Sequence, residues 1–190
     1  IRGIGSSSDG KSKSIYAPCA DGQALSLRRA YQRAGYSPGT VELLEAHGTG
    51  TVAGDRAELE TVSRLLDEYQ AAPGSAAIGS VKTMIGHTKA AAGAAGLIKS
   101  ALALHNKVLP PTLKAATPDP KLDIASSPFY LNTSARPWFS SDDTPRRGGV
   151  SAFGFGGSNY HCVLEEDRAQ KTAADSTGDV LLVPLAADSP

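Results

Sequence analysis

The stretch "EAHGTGTVAGD", residues 45–55, holds a histidine, two acids, two threonines and three glycines within eleven positions. It overlaps the end of the apolar run "VELLEA", which is typical of a short buried strand. It ends at Asp55, which together with Glu58 resembles a capping box that opens a helix reaching about Tyr69. His47 is therefore predicted to lie in a turn between a strand and a helix, where α/β proteins usually present reactive side chains.

A second turn of the same kind carries His87. The segment "AAIGSVK", residues 76–82, predicts another buried strand, and "HTKAAAGAAGLIKSALALHN", residues 87–106, predicts a helix that is rich in small side chains. Either histidine alone is compatible with a structural role. Two histidines in equivalent turns are expected to converge on one pocket, which favours a functional site.

Lys82 lies near the end of the second predicted strand, five residues before His87. Its amine is expected to pair with Glu58 or Glu45, and such a buried pair would hold the histidine tautomers. A metal site is disfavoured, because the two histidines have neither an i, i+4 histidine partner nor a pair of cysteines beside them.

The remaining pattern completes an α/β arrangement. A helix capped by Asp21 is expected to end at Gly35. Later strands are expected within residues 129–138 and 158–166, and alternation in the second of these places His161 on the outward side. Strands that alternate with helices indicate α/β layering around a largely buried sheet.

The glycine run "SAFGFGGSN", residues 151–159, predicts a loop whose backbone can approach a ligand closely. Its N–H groups would suit a developing oxyanion, whereas an ordinary tight hairpin is the alternative. A phosphate cradle is excluded, since no GK[ST] follows and the glycine spacing does not open a helix.

The overall composition is that of one ordinary globular domain. The 190 residues are 41% apolar and 20% charged, and 19 basic residues balance 19 acidic ones, so nothing marks a nucleic-acid partner. No stretch is long and apolar enough to predict a membrane span. The two separate cysteines indicate a reducing compartment, for which the cytoplasm is the default.

Three motifs together resemble one known family. "EAHGTGTVAGDRAELE", "GSVKTMIGHTKAAAGAAGLIKSALALHNKVLPPT" and "RRGGVSAFGFGGSNYHCVLEE" occur in the order and spacing of the C-terminal half of a β-ketoacyl synthase (ketosynthase) domain. They are similar to the version found in polyketide synthases, and the opening segment looks closest to polyunsaturated-fatty-acid-type synthases. The resemblance implies a thiolase-like layered αβαβα fold, of which this chain would form the C-terminal half.

The reaction that the resemblance implies is a decarboxylative Claisen condensation of malonyl-acyl carrier protein with a cysteine-bound acyl chain. His47 and His87 match the two histidines that stabilise the enolate, and each would be held in the donating tautomer by a neighbouring acceptor. The roles implied for the other matching residues are the supporting ion pair (Lys82, Glu58), hydroxyls that bind the phosphopantetheine arm (Thr49, Thr51), and a gating aromatic in a glycine loop that completes the oxyanion hole (Phe155, Gly154, Gly156).

The family's nucleophilic cysteine lies in the N-terminal half, and neither Cys19 nor Cys162 matches it. The segment alone is therefore expected to be inactive, and residues 1–166 are predicted as the half-domain, with 167–190 as a linker toward a following domain. A non-catalytic scaffold and a decarboxylase-only variant remain as alternatives.

The resemblance also implies which molecules the protein would meet. The expected partners are the N-terminal half with its cysteine, an acyl carrier protein, a second copy in a homodimer and a neighbouring acyltransferase domain. No cofactor is expected to bind directly, because the phosphopantetheine is carried by the acyl carrier protein.

Overall fold

The computed structural model describes residues 1–11, 17–115, 117–140 and 144–168. Six strands form one sheet in the order β1-β8-β7-β2-β3-β5, and β4 and β6 form a small second sheet. The strands are β1 (Gly3–Ser8), β2 (Leu43–Glu45), β3 (Ala76–Gly79), β4 (Val108–Leu109), β5 (Phe129–Leu131), β6 (Arg136–Pro137), β7 (Arg147–Gly154) and β8 (Ser158–Glu165). The helices are α1 (Ala20–Ala34), α2 (Val52–Glu68), α3 (Lys82–Ile85) and α4 (Ala92–Asn106).

The main sheet is mixed and lies between two layers of helix. Strands β7, β2, β3 and β5 run parallel, and β8 runs antiparallel to both β7 and β1. Side chains of α1 and α2 pack with Leu44, Ile78 and Val163 on one face. On the other face, α4 packs with Leu43 and Val150. The predicted α/β layering is confirmed, and none of the helices in the described ranges is long and apolar enough to cross a membrane.

Two of the predicted helix starts are wrong. Helix α1 begins after Cys19, so Asp21 lies in its first turn instead of capping it. Helix α2 begins after Thr51, whose hydroxyl accepts a hydrogen bond from the Gly54 N–H, and Asp55 lies one turn further on. Both helices are thus a few residues longer than predicted, because a residue further upstream already has the extended backbone of a cap.

The end of α1 is as predicted, since Gly35 adopts the left-handed conformation with φ 75°. The second strand-to-helix segment is more broken than predicted. Strand β3 stops at Gly79, the one-turn helix α3 follows, and Gly86 at φ 76° redirects the chain before a single 3-10 turn over Lys89–Ala91 leads into α4. His87 therefore lies between two helices and not at the start of one.

The glycine run is mainly strand. Residues up to Gly154 belong to β7, a turn covers residues 155–157, and β8 begins at Ser158. The turn uses two glycines in the left-handed region, Gly156 at φ 85° and Gly157 at φ 78°. The long loop predicted for 151–159 is wrong, and the alternative of a tight hairpin is correct. The predicted strand within 129–138 is also divided, into β5 and β6.

His161 is fully buried, so the prediction that it faces outward is wrong. Its Nδ1 lies 3.0 Å from the Ser151 hydroxyl and its Nε2 lies 3.4 Å from the Tyr31 hydroxyl. Alternation along β8 does separate buried from exposed residues, but with the opposite phase: Asn159, His161 and Val163 are buried, whereas Ser158 and Tyr160 are exposed. Gly149 leaves the room for the imidazole, because a Cβ there would lie 3.0 Å from the ring. The linker predicted for 167–190 lies almost wholly outside the described residues.

Strand β1 lies unusually close to α1. A Cβ on Gly5 would come within 1.9 Å of the Ser26 carbonyl oxygen, and one on Gly3 within 2.2 Å of the Ala30 carbonyl oxygen. Both obstacles are helix backbone, which cannot rotate away as a side chain can. The position of α1 on the sheet therefore depends on these two glycines.

We expect Gly5→Ala to lower the free energy of unfolding of the purified protein by about 2–4 kcal/mol, because strand and helix must separate to admit the methyl group. The matched control is Gly148→Ala, also within a strand, where the Cβ would lie 3.6 Å from its nearest neighbour. The control should change the free energy by less than about 1 kcal/mol. Urea unfolding measures both, and equal effects would contradict the packing argument.

Burial lowers the pKa of His161 to about 3, well below its ordinary 6.5. The unfolded chain therefore binds a proton at His161 before the folded protein does, and stability falls as the pH drops below about 6.5. Between pH 6.5 and pH 5 we expect the wild type to lose about 2 kcal/mol of its free energy of unfolding through His161, and we expect His161→Gln not to show this part of the loss. Unfolding measured across that range tests it, with exposed His105→Gln as the control. An unchanged slope in the His161 variant would refute the assignment.

Candidate active site

His47 follows β2 and is held through its main chain. Its N–H donates to one carboxylate oxygen of Glu58 at 2.7 Å, and the Gly48 N–H donates to the other at 2.9 Å. The Lys82 amine donates to the carbonyl oxygen of His47. Three polar contacts from α2 and α3 therefore fix the backbone at this residue, while the imidazole lies beside His87 and Phe153.

The two predicted histidines do converge. The ring centroids of His47 and His87 lie 5.9 Å apart, with the rings nearly perpendicular at 88°. Phe153 on β7 lies beside the His47 ring, with centroids 5.7 Å apart. His47 is half-buried and His87 is exposed, so the pair spans the boundary between the core and the open surface of the chain.

The hydrogen bonding of His87 decides its tautomer. Its Nδ1 lies 2.9 Å from the Lys89 N–H and accepts that hydrogen bond, so the neutral ring carries its proton on Nε2. The neighbour that fixes the tautomer is thus a donor, and the expectation of an acceptor is wrong for His87. The Nε2–H is the group of this ring that can donate to a further acceptor.

Burial, together with the nearby Lys82 and His87, lowers the pKa of His47 to about 4. His47 is therefore neutral at pH 7. Its Nδ1 is buried and has no hydrogen-bond partner among the described residues. The neutral ring of His47 and the ring of His87, whose Nδ1 accepts a hydrogen bond, therefore lie side by side, and each has one N–H to donate.

Lys82 and Glu58 do not form the ion pair that the sequence suggested, since within the described ranges no contact shorter than 4.0 Å joins them. They meet through the backbone of His47 instead, one on its N–H and the other on its carbonyl. Burial raises the pKa of Glu58. The N–H groups of Gly48 and His47 oppose this rise, and the resulting pKa is about 7. Burial also lowers the pKa of Lys82, and nearby carboxylates counteract this lowering.

Glu45 has a partner that the sequence did not reveal. Its carboxylate accepts from the Lys99 amine at 2.7 Å and from the Val81 N–H at 2.5 Å. The signal for Lys99 was present, because it is the one charge in the run of small and apolar residues from Ala92 to Leu104.

The loop after His47 carries the two threonines. The hydroxyl oxygens of Thr49 and Thr51 lie 3.1 Å apart, and both side chains are exposed. Thr51 also caps α2, and the Asp55 carboxylate accepts from the Gly50 N–H at 3.2 Å. The loop is thereby folded back on the helix, which leaves the Thr49 hydroxyl at the surface.

Phe155 occupies the hairpin turn, and 86% of its surface is exposed. Gly154 ends β7 before it, and Gly156 follows with a positive φ. The structure places Phe153, and not Phe155, against the His47 ring. Phe153 was missed because nothing in the sequence distinguishes it from the neighbouring aromatic.

A family model for the β-ketoacyl synthase C-terminal domain matches residues 1–116. The chain belongs to the β-ketoacyl synthase family. It is 49% identical over 179 residues to one of the polyunsaturated fatty acid synthase proteins of a Thraustochytrium species, an alignment that covers 92% of this chain and 6% of that protein. It is 44% identical over 171 residues to polyketide synthase PksL of Bacillus subtilis, covering 90% of this chain and 4% of that protein.

Solved ketosynthases agree in fold. The ketosynthase from module 6 of the bacillaene synthase of Bacillus subtilis superposes with a TM-score of 0.85 at 44% identity, covering 88% of this chain and 30% of that one. The chain therefore spans under a third of that solved structure, and a far smaller part of the much longer relatives. It is part of a ketosynthase enzyme domain, and a match to the C-terminal domain implies an N-terminal ketosynthase partner.

We expect Glu58→Gln to destabilise the ketosynthase by about 1–3 kcal/mol. A carboxylate accepts from both the His47 and the Gly48 N–H, whereas an amide leaves one of them facing its own NH₂ group. Glu60→Gln, an exposed substitution on the same helix, is the matched control and should change stability by less than about 0.5 kcal/mol. Denaturant unfolding at pH 8 compares the two variants. A Glu58→Gln variant as stable as the wild type would show that the paired contact does not contribute to stability.

Proposed function

We propose that this chain supplies the histidine half of a ketosynthase active site, which condenses malonyl-acyl carrier protein with an acyl chain on a cysteine of the N-terminal half. The observation that carries the proposal is the pair of imidazoles of His47 and His87, whose ring centroids lie 5.9 Å apart, in a chain of this family. Two N–H donors on neighbouring rings suit an oxygen that gains negative charge during a reaction.

The proposed condensation conserves atoms and electrons at each step. The malonyl thioester breaks its bond to the carboxylate carbon and releases CO₂, and the electron pair passes into an enolate whose oxygen takes the charge. His47 and His87 donate to that oxygen, which favours the transition state over the ground state. The enolate carbon then attacks the acyl-thioester carbonyl, a carbon–carbon bond forms, and the cysteine leaves as thiolate. The product stays on the carrier arm, two carbons longer.

The neighbouring groups support this step by position. In the proposed site, Glu58 and Lys82 fix the His47 backbone and so aim its ring. A neutral imidazole is too weak an acid to give its proton to the enolate, so it stabilises the charge without quenching the nucleophile. The lowered pKa of His47 provides that neutral state at pH 7.

The remaining residues are proposed to handle the acyl-carrier substrate. The exposed Thr49 and Thr51 hydroxyls would bind the phosphopantetheine arm of the acyl carrier protein. Phe155, in its glycine turn, would gate the cysteine, and its N–H would complete the oxyanion hole with Gly154 and Gly156 shaping the backbone. The protein itself would need no bound cofactor. A homodimer, a neighbouring acyltransferase domain and a cytoplasmic location complete the proposal.

We expect His47→Ala or His87→Ala in the complete ketosynthase domain to lower condensation by about 10²–10³-fold, since each removes one donor to the enolate. Acylation of the cysteine, which needs neither imidazole as an enolate donor, should continue at close to the wild-type level. Intact-mass spectrometry follows the acyl-enzyme, and product carried on malonyl-loaded carrier protein reports condensation.

His105→Ala is the matched control, because His105 is exposed at the end of α4. It should behave as the wild type does. A wild-type enzyme that releases CO₂ but never forms the acyl-cysteine would be a decarboxylase only. One that does neither would be a scaffold, and either result would overturn the proposal.

A further inference from the structure

The ion pair between Lys99 and Glu45 joins the middle of α4 to the end of β2 and is buried. The side chains of Lys99 and Glu45 are 11% and 3% exposed, and their charged atoms lie 2.7 Å apart. A lysine in the middle of a helix of small residues is costly to bury, so its presence calls for an explanation beyond packing.

The carboxylate connects that lysine to α3. The second oxygen of Glu45 accepts from the N–H of Val81, the residue that precedes Lys82 and caps α3. Lys82 in turn donates to the carbonyl of His47, two residues after Glu45 itself. Contacts thus connect α4 to Glu45, Glu45 to α3, and α3 to the loop that carries His47.

We propose that Lys99 is a positioning residue for the condensation: its ammonium holds the Glu45 carboxylate on the Val81 N–H, and this keeps the Lys82 amine on the His47 carbonyl. The inference rests on the proposed function for its kinetic part. Its structural part, the dependence of the Lys82–His47 contact on Lys99, stands apart from any activity.

The carboxylate has little freedom to find another arrangement. A Cβ at Gly96 would lie 2.9 Å from the Glu45 Cγ, so the helix backbone already touches the side chain. Burial raises the pKa of Glu45, and the charge of Lys99 is the largest factor that opposes the rise, followed by the Val81 N–H and Lys82. The charged groups that face it are therefore Lys99 from α4 and Lys82 from α3.

Removal of Lys99 leaves a buried carboxylate that readily takes up a proton. A protonated carboxyl is a weaker acceptor for the Val81 N–H, so α3 is released and Lys82 loses its place. Since the uptake follows the pKa of Glu45, the damage should be greatest at low pH and shrink as the pH rises. A merely structural ion pair would not give the condensation step alone such a pH dependence.

The experiment compares Lys99→Met, Lys99→Arg and the double variant Glu45→Gln/Lys99→Met in the complete ketosynthase domain, with surface Lys121→Met as the control. For Lys99→Met at pH 7 we expect kcat for condensation to fall by about 10- to 100-fold. The KM for malonyl-carrier protein should stay within about twofold and cysteine acylation should be unchanged, since the change acts on a positioned backbone and not on binding.

The pH profile separates positioning from loss of fold. The deficit of Lys99→Met should shrink as the pH is raised, because Glu45 then ionises and becomes a stronger acceptor for the Val81 N–H. The double variant should have a smaller and pH-independent deficit, because glutamine accepts from Val81 without a charge to lose. Lys99→Arg should recover most of the rate, and Lys121→Met should match the wild type.

A deficit in Lys99→Met that is equal at every pH, or that falls equally on acylation and condensation, would overturn the proposal. Crystal structures of the wild type and Lys99→Met decide the structural part separately. The proposal requires the Lys82–His47 contact to be broken in the variant, and an intact contact refutes it. If the wild type proves inactive, the proposed function fails, while these structures still decide whether Lys99 positions Lys82.

Discussion

The carboxylate of Glu58 binds two consecutive backbone N–H groups, those of His47 and Gly48, and the candidate site depends on that interaction. A buried carboxylate is costly, and its pKa rises to about 7 in consequence. Two N–H donors offset part of this cost and fix the turn after β2. The orientation of the His47 ring, and with it the approach of His87, follows from the position of that backbone.

The site uses its acids and its lysines to hold main chain as well as to pair with each other. Lys82 donates to a carbonyl, Glu58 accepts from two N–H groups, and Glu45 accepts from the N–H that starts α3. Such contacts fix the loops around the two imidazoles without placing a carboxylate directly on either ring. Neutral rings that donate through a defined nitrogen are the state required to stabilise an oxyanion without first losing or gaining a proton.

Much of the site was predictable because it is local in sequence. His47 lies just past β2, and the apolar run that marks this strand places it correctly, whereas α3 intervenes between β3 and His87. The helix starts were less predictable, since Thr51 and Asp55 are both good capping residues and only the folded loop, in which Asp55 accepts from Gly50, shows which one caps. The alternation along β8 is real, but Tyr160 lies on its exposed side and His161 on its buried side, and this phase depends on where α1 packs against the strand.

The sequence by itself determined the family, the α/β class and the turn that carries His47, because each is encoded in short contiguous patterns. The tertiary structure alone decided which partner each of the buried lysines meets. Lys99 reaches Glu45 across 54 positions and Lys82 reaches His47 across 35. Those partners are set by how α4 and α3 pack beside β2. The energy of a buried charge depends on the surroundings that this packing provides, and not on the residues next to it in the chain.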